Sequence, residues 1–529
     1  MYYKMHHKLN TKRTALVVPI FMLLVALLIL TKFIQVSTNI NSNEIGNANF
    51  YNPKDQKYYS DKNFKYEAND NTEYIIKKFS EDGKVYIPKG NYLCKSPIRI
   101  KGKNVVLYGP EGACKIIFDS RADKFIEKGK QKSYIINDGY SLSFNNESAQ
   151  NISINGIEFE VKQSENTPYN YLLTLANVKG GVIQNCKFIS DKSSENMVTL
   201  VNLLSCCKNI KIVDCSFKNM TGASTGGCIW VRNLTTKQKL KENVTENISI
   251  ARCRFVQNSG DEIVAVYSSV GHVRKVSVKD SVFEDYSDIN AKVLSAFPSD
   301  NKDDGTVEEV QFDNNRIYSE RVKYFIITVG GPNRSNRVSN VSISNNEITV
   351  GENSDNKCIL IYVNDINTNS SDIKVYNNTI LVDSLVNSTG IYNASFSTNN
   401  KIIGKLGRGI VFGKCYENII DGALRGIVSS EIANQNEIYD SKIGISCKDQ
   451  KSIISDNKII LAQENGLCGI EIQKSQENVD IVCSDNEIIT KTEEQNGFII
   501  HSGNVRLIDN LISGPGKDIY KSDEAVILK

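Results

Sequence analysis

Four stretches decide the fold: ISNNEI at 343–348, VYNNTI at 375–380, ISDNKI at 454–459 and LIDNLI at 507–512. Each reads apolar, any, polar, Asn, any, Ile. Earlier copies put Cys or Ser in the Asn position and Phe at the end: IQNCKF to Phe188, IVDCSF to Phe217, IARCRF to Phe255 and VKDSVF to Phe283. With FDNNRI to Ile317 and weaker copies ending at Phe159, Ile402, Ile420, Ile438 and Ile488, the pattern occurs fourteen times at a mean gap of about 27 residues. Within a copy the alternation is two-fold, as in a half-buried strand. A second short strand follows most copies, as in GGCIWV, KCILIYV and GIEI.

A repeat of this length built from short strands predicts an all-β, right-handed, single-stranded parallel β-helix, each repeat one coil. One coil cannot bury its own apolar face, so stacking must do it. Aligned positions then recur every 4.8 Å or so along the axis. Stacked Asn amides satisfy one another at an interior bend, which puts Asn346, Asn378 and Asn457 inside with Ile348, Ile380 and Ile459. Cys186, Cys215 and Cys253 share the Asn position and stack as small fillers; a disulfide between neighbouring coils is the alternative reading. An amphipathic helix over 72–79, with Thr72 as cap and Tyr74, Ile75, Ile76 and Phe79 on its apolar face, plugs the first coil. The tail after Gly514 is expected to cover the other end.

Outside the repeat, Ala15 to Leu30 carries no charge, and apolar character resumes to Val36. Residues 14–36 are long enough to span a bilayer. Lys4, Lys8, Lys12 and Arg13 precede the span, which places residues 1–13 in the cytoplasm and the rest outside. A cleaved signal peptide is the rival reading; no Ala-x-Ala-like site follows. The Asn- and Ser-rich stretch 37–60 is a tether, and 61–529 is the β-helix domain.

Composition limits the function. Lys and Arg (63) against Asp and Glu (60) give +3, so nothing calls for nucleic acid. Four histidines, two of them at positions 6 and 7, leave no multi-histidine metal centre. Thirteen cysteines without a CxxC pair argue against a zinc ribbon. Calcium as a cofactor stays open: Asp300, Asp303 and Asp304 share one loop, without EF-hand spacing, and a solvated acidic turn reads as well.

The segment GKVYIPKGNYLCKSPIRI (83–100), behind Asn71-Thr72, resembles the first coil of the pectate-lyase-type β-helix superfamily. That group includes polysaccharide lyases, polygalacturonase-like hydrolases, epimerases and phage tailspikes. The usual Gly-Asp-Gly and Asp-Asp before the helix Thr are replaced by NDNT. The resemblance covers about residues 61–515. It implies a substrate groove along the outside of one stacked sheet, and hence a polysaccharide partner.

Aligning GDEIVAV (260–266) with GGCIWVR (226–232) picks the candidate site. Asp261 and Glu262 are paired carboxylates for acid–base or nucleophilic work. Trp230 offers a flat face to a sugar. Arg232 or Lys292 neutralises a uronate or acts as base, and His272 lies just beyond. The plainer reading makes Asp261 and Glu262 a solvated turn, Trp230 a cover for the barrel and His272 a turn residue. Tyr324, Tyr362 and Tyr392 extend the aromatic theme along later coils. These observations give two expectations: a membrane-tethered extracellular enzyme that cuts or epimerises a polysaccharide, or a glycan-binding rod without chemistry.

Overall fold

The computed structural model describes residues 70–528 apart from 74, 76, 78–82, 97, 101–103, 120–131, 138–149, 163–168, 191–196, 221–225, 235–242, 259–261, 287–291, 299–304, 331–336, 352–353, 355–356, 365–371, 449–450 and 475–479. The tail, span and tether expected over 1–60 lie outside the described residues, as do Asp261, Asp300, Asp303 and Asp304. Among the described residues no helix is long and apolar enough to cross a membrane. Of the plug helix, Thr72, Glu73, Ile75 and Lys77 have helical backbone, and the buried Ile75 donates its N–H to the Asn71 carbonyl at 3.2 Å. The rest of that segment lies outside the described residues.

Every strand pair is parallel, and the chain winds as a parallel β-helix. A typical coil contributes three strands, such as Gln150–Asn155, Ile157–Lys162 and Tyr169–Ala176. The first joins a 17-stranded sheet, here face 1; the other two join a 30-stranded sheet, whose two halves are faces 2 and 3. Two long strands, Thr379–Tyr392 and Lys401–Val411, run through both halves.

The repeat is the register. Phe159, Phe188, Phe217, Phe255, Phe283, Ile317, Ile348, Ile380, Ile402, Ile420, Ile438, Ile459, Ile488 and Ile512 pair one above the next in a single column on face 2. Tyr92 and Ile116 extend it by two earlier coils. The five phenylalanines stack with ring centroids 5.3, 5.1, 4.9 and 4.6 Å apart. All are fully buried, so coil spacing and ring spacing reinforce each other.

Two residues before each column member, the bend is held by side chains. Asn315, Asn346, Asn378, Asn400, Asn418, Asn436, Asn457, Asn486 and Asn510 form an unbroken ladder. Each Nδ2 donates to the next Oδ1 at 2.8–3.0 Å. The residue before each takes positive φ, as at Asn345, Asn377, Glu417 and Asp456. Short polar residues tolerate that conformation best, which explains the repeated Asn-Asn and Asp-Asn pairs.

In earlier coils Cys186, Cys215 and Cys253 occupy the ladder position. They do more than fill space. The Cys215 thiol donates to the Val213 and Ile183 carbonyls, the same pair of directions in which Asn378 Nδ2 meets Tyr376 and Ile343. All thirteen cysteines are buried and none is in a disulfide, so the disulfide alternative falls. Burial pushes the Cys207 and Cys415 thiols up to about 12. The tail after Gly514 does not cap the stack. Its strands Lys517–Lys521 and Ala525–Leu528 pair with Asn496–Ile500 and Gly503–Ile508 and continue it.

Candidate functional site

Face 3 carries Trp230, Arg232, Glu262 and Lys292. Its strand Gly226–Asn233 lies between Met197–Leu204 and Glu262–Ser268, and Lys292–Pro298 follows. Trp230 and Arg232 alternate with the fully buried Ile229 and Val231, so both point outward.

The Arg232 guanidinium sits 4.9 Å from the Tyr171 ring centroid and 4.7 Å from that of Trp230. The two rings meet edge-on at 6.4 Å. Arg232 Nε donates to Asn202 Oδ1 at 2.8 Å, but no carboxylate pairs with the guanidinium among the described residues. It is only 7% exposed. A cation so far from water needs compensation, and two aromatic faces with one amide supply only part of it. Four buried polar atoms of this cluster have no hydrogen-bond partner among the described residues: Tyr171 Oη, Thr199 Oγ1, Trp230 Nε1 and Arg232 Nη2. Each such orphan costs about 1–3 kcal/mol. These atoms lie on three successive strands of face 3.

The carboxylate side of the site is arranged differently from the alignment. Trp230 pairs with Ala265 and Arg232 with Tyr267, one residue off the expected register. Such a slip exchanges the two faces of a strand. It brings Glu262 outward instead of opposite the inward Cys228, and places it beside Gly227. A side chain at 227 would meet the Glu262 carbonyl at 2.2 Å and Trp230 Nε1 at 2.7 Å. Only glycine lets the indole fold back there. Glu262 is buried and its Oε1 is 3.0 Å from Lys292 Nζ. Lys292 is therefore engaged by a carboxylate of the protein. His272 opens the strand His272–Lys279 on face 1, where Nδ1 contacts Thr306 Oγ1 at 2.7 Å. It does not join the Trp230 cluster.

Farther along face 3 the aromatic side chains form a row. Phe297 packs on Tyr267 at 5.1 Å. Phe325 stacks on Tyr362 at 4.6 Å, Tyr362 lies 5.6 Å from Tyr392, and Tyr392 lies 5.5 Å from Phe412. Tyr324 flanks Phe325 and is 54% exposed. In register, Tyr362 and Tyr392 are neighbours in a column that runs from Trp230 through Ala265, Ser295 and Thr328 to Val411; Phe325 pairs with Ile359 and reaches Tyr362 from outside that column. Burial first, and then the neighbouring Tyr392, hold the Tyr362 phenol above its usual value. Both tyrosines are half-buried. Among the described residues no cluster of His, Cys, Asp and Glu forms a metal site.

No protein-family model matches the chain, and no curated protein is similar to it in sequence. Several solved structures are similar to it. The tailspike protein of E. coli bacteriophage HK620, in complex with a pentasaccharide, is 13% identical over 86% of this chain and 77% of its own, with a TM-score of 0.49. The N-terminal fragment of bacteriophage Phi29 gene product 12 is 11% identical over 85% and 91%, TM-score 0.46. The Streptococcus pneumoniae surface protein and adhesin PfbA is 13% identical over 90% and 99%, TM-score 0.42. The fold assignment rests on the strand registers above.

Proposed function

We propose that the protein binds a polysaccharide lengthwise along face 3. The observation that carries this reading is the outward aromatic row, with Phe325, Tyr362, Tyr392 and Phe412 at 4.6–5.6 Å steps. Flat apolar ring faces with polar edges suit the C–H faces of sugars, and a repeating row suits a repeating polymer. The Tyr171–Arg232–Trp230 cluster lies on the same face and supports the same reading. Membership of the pectate-lyase-type superfamily, suggested by Gly83 to Tyr92, belongs to this proposal.

Lyase, hydrolase or epimerase chemistry is assigned to the corner where Trp230 folds over Gly227 toward Glu262, with Asp261 beside it in the chain. The binding experiment tests both parts. Affinity electrophoresis in gels containing acidic and neutral polysaccharides should show retardation, weakened about tenfold by Tyr362→Ala with Tyr392→Ala. Assays for unsaturated products and reducing ends on the retarding glycan should then show turnover that Asp261→Asn with Glu262→Gln abolishes while retardation persists. Unretarded migration of the parent protein in every gel would sink the binding role. Retardation without turnover would leave a binding rod.

The membrane tether is the other element of the proposal. It is supported by the uncharged run from Ala15 to Leu30 and the four cations before it. The full chain should sediment with membranes through a carbonate wash, and protease added to intact cells should remove the β-helix. A β-helix that stays protected while the cells remain sealed would reverse the orientation.

A further inference from the structure

Face 3 holds a second feature, away from the Trp230 cluster. A pocket of about 360 Å³ opens beside the strands Lys401–Val411, Arg425–Val428 and Ile443–Cys447. Arg408 and Arg425 line it on adjacent coils, paired in register, and Lys442 stands at its rim. Parallel neighbours hold these two arginine backbones about 4.8 Å apart. Some cations elsewhere on the molecule are matched: Lys115, Lys208, Arg252, Arg254, Arg274 and Lys292 each pair with a carboxylate. Arg408, Arg425 and Lys442 have no such partner among the described residues. The one carboxylate lining the pocket, Glu471, already accepts hydrogen bonds from Ser446 at 2.8 Å and Gln473 at 2.9 Å. Three cations against one carboxylate leave the pocket at +2.

One wall comes from an irregularity in the sheet. The pairing of Thr379–Tyr392 with Lys401–Val411 slips between Leu381 and Ser384 and again between Leu385 and Thr389. The displaced segment brings Val386 and Asn387 to the pocket. Gly407 permits this, since a side chain there would lie 2.8 Å from the Val386 carbonyl. Val386 and Leu424 leave apolar surface exposed beside the arginines. Adjacent coils thus offer fork-like donors next to apolar walls, the combination that recognises an anionic group carried on a larger, partly apolar ring.

We infer that this pocket is an oxyanion subsite of the same face. It takes the carboxylate or sulfate substituent of an acidic polysaccharide whose neighbouring sugars lie on Tyr392 and Tyr362. The inference rests on the proposed glycan-binding role and adds the class of glycan. The geometry links the two parts: Tyr392 pairs with Val411, three residues beyond Arg408 on one strand, and Thr389 pairs with Arg408 itself.

The test uses the full chain with three probes: polygalacturonate for carboxylate, dextran sulfate for sulfate, and dextran as the neutral polymer. The variants are Arg408→Gln with Arg425→Gln, and as a charge-matched control Lys211→Gln with Lys218→Gln on other faces. The expected result is a drop of about tenfold or more in affinity for one acidic probe in the arginine variant, with a smaller dependence on salt. The lysine control should stay near the parent. Which probe responds identifies the anion. Equal losses in the two variants, or none in the arginine variant, would overturn the subsite. Binding to dextran alone would overturn it too, leaving the glycan-binding role standing. Acidic binding that depends on Arg408 and Arg425 but ignores Tyr362→Ala with Tyr392→Ala would keep the subsite and overturn the aromatic row. Binding to none of the three would overturn both.

Discussion

Replacing Ile380 by Asp should unfold the middle of the stack under conditions where the parent protein is intact. Ile380 is completely buried and pairs with Ile348 on one side and Ile402 on the other. A carboxylate there has apolar column members above and below and no water. The cost comes from an unpaired buried charge, added to the loss of a large apolar side chain, and together these reach about 4–5 kcal/mol. In a solenoid each coil is stabilised mainly by its two neighbours, so a coil lost in the middle weakens both flanking segments. Thermal unfolding followed by circular dichroism should show a transition many degrees lower, or split in two. A melting temperature equal to the parent's would refute the inward assignment. Ile380→Val is the control and should cost about 1 kcal/mol.

The second large effect concerns the amide ladder. Asn418 Oδ1 accepts both the Nδ2 and the backbone N–H of Asn400, at 3.0 Å each. Its own Nδ2 donates to Asn436 Oδ1 and to the Ser397 carbonyl. Asn418→Ala leaves the Asn400 backbone N–H and one of its two Nδ2 protons without an acceptor; the other Nδ2 proton keeps the Val375 carbonyl. At about 1–3 kcal/mol for each orphan, the loss should be about 2–4 kcal/mol. Asn418→Asp keeps the acceptor but sets an anionic oxygen against Asn436 Oδ1, and should be worse than Ala wherever the carboxylate is ionised. Denaturant unfolding distinguishes the cases. A loss below about 0.5 kcal/mol for Asn418→Ala would mean that the ladder is redundant with the backbone pairing.

The column and the ladder were legible because a stack uses one residue position many times, so a weak pattern becomes strong by repetition. Tyr92 and Ile116 were missed although Cys114 precedes Ile116 by the ladder interval. The site was less legible, because face 3 follows loops of unequal length. Trp230 and Arg232 could be named from their strand alone. Tyr171 and Asn202, which complete the cluster, lie on earlier coils separated by variable loops, and nothing local singles them out. Glu262 was expected on the outer face, but the pairing of its strand with Gly226–Asn233 is one residue off the alignment, because the longer loop before Gly226 leaves the start of that strand unmarked in the sequence. Arg408 and Arg425 did leave a sign: the string RGIV occurs at both 408–411 and 425–428.

The thirteen thiols, none in a disulfide, make the molecule a recorder of its own breathing. They are spread from Cys94 to Cys483, so most stretches of the stack hold at least one. Each is shielded as long as its coil is closed, and burial keeps thiols such as Cys207, Cys415 and Cys447 protonated at neutral pH. A thiol becomes reactive only when its coil opens, and the rate of reaction then reports how often that happens. A chain with this many latent nucleophiles and no crosslinks depends on the tightness of its winding to escape oxidation. Chemical longevity and mechanical closure are here the same property.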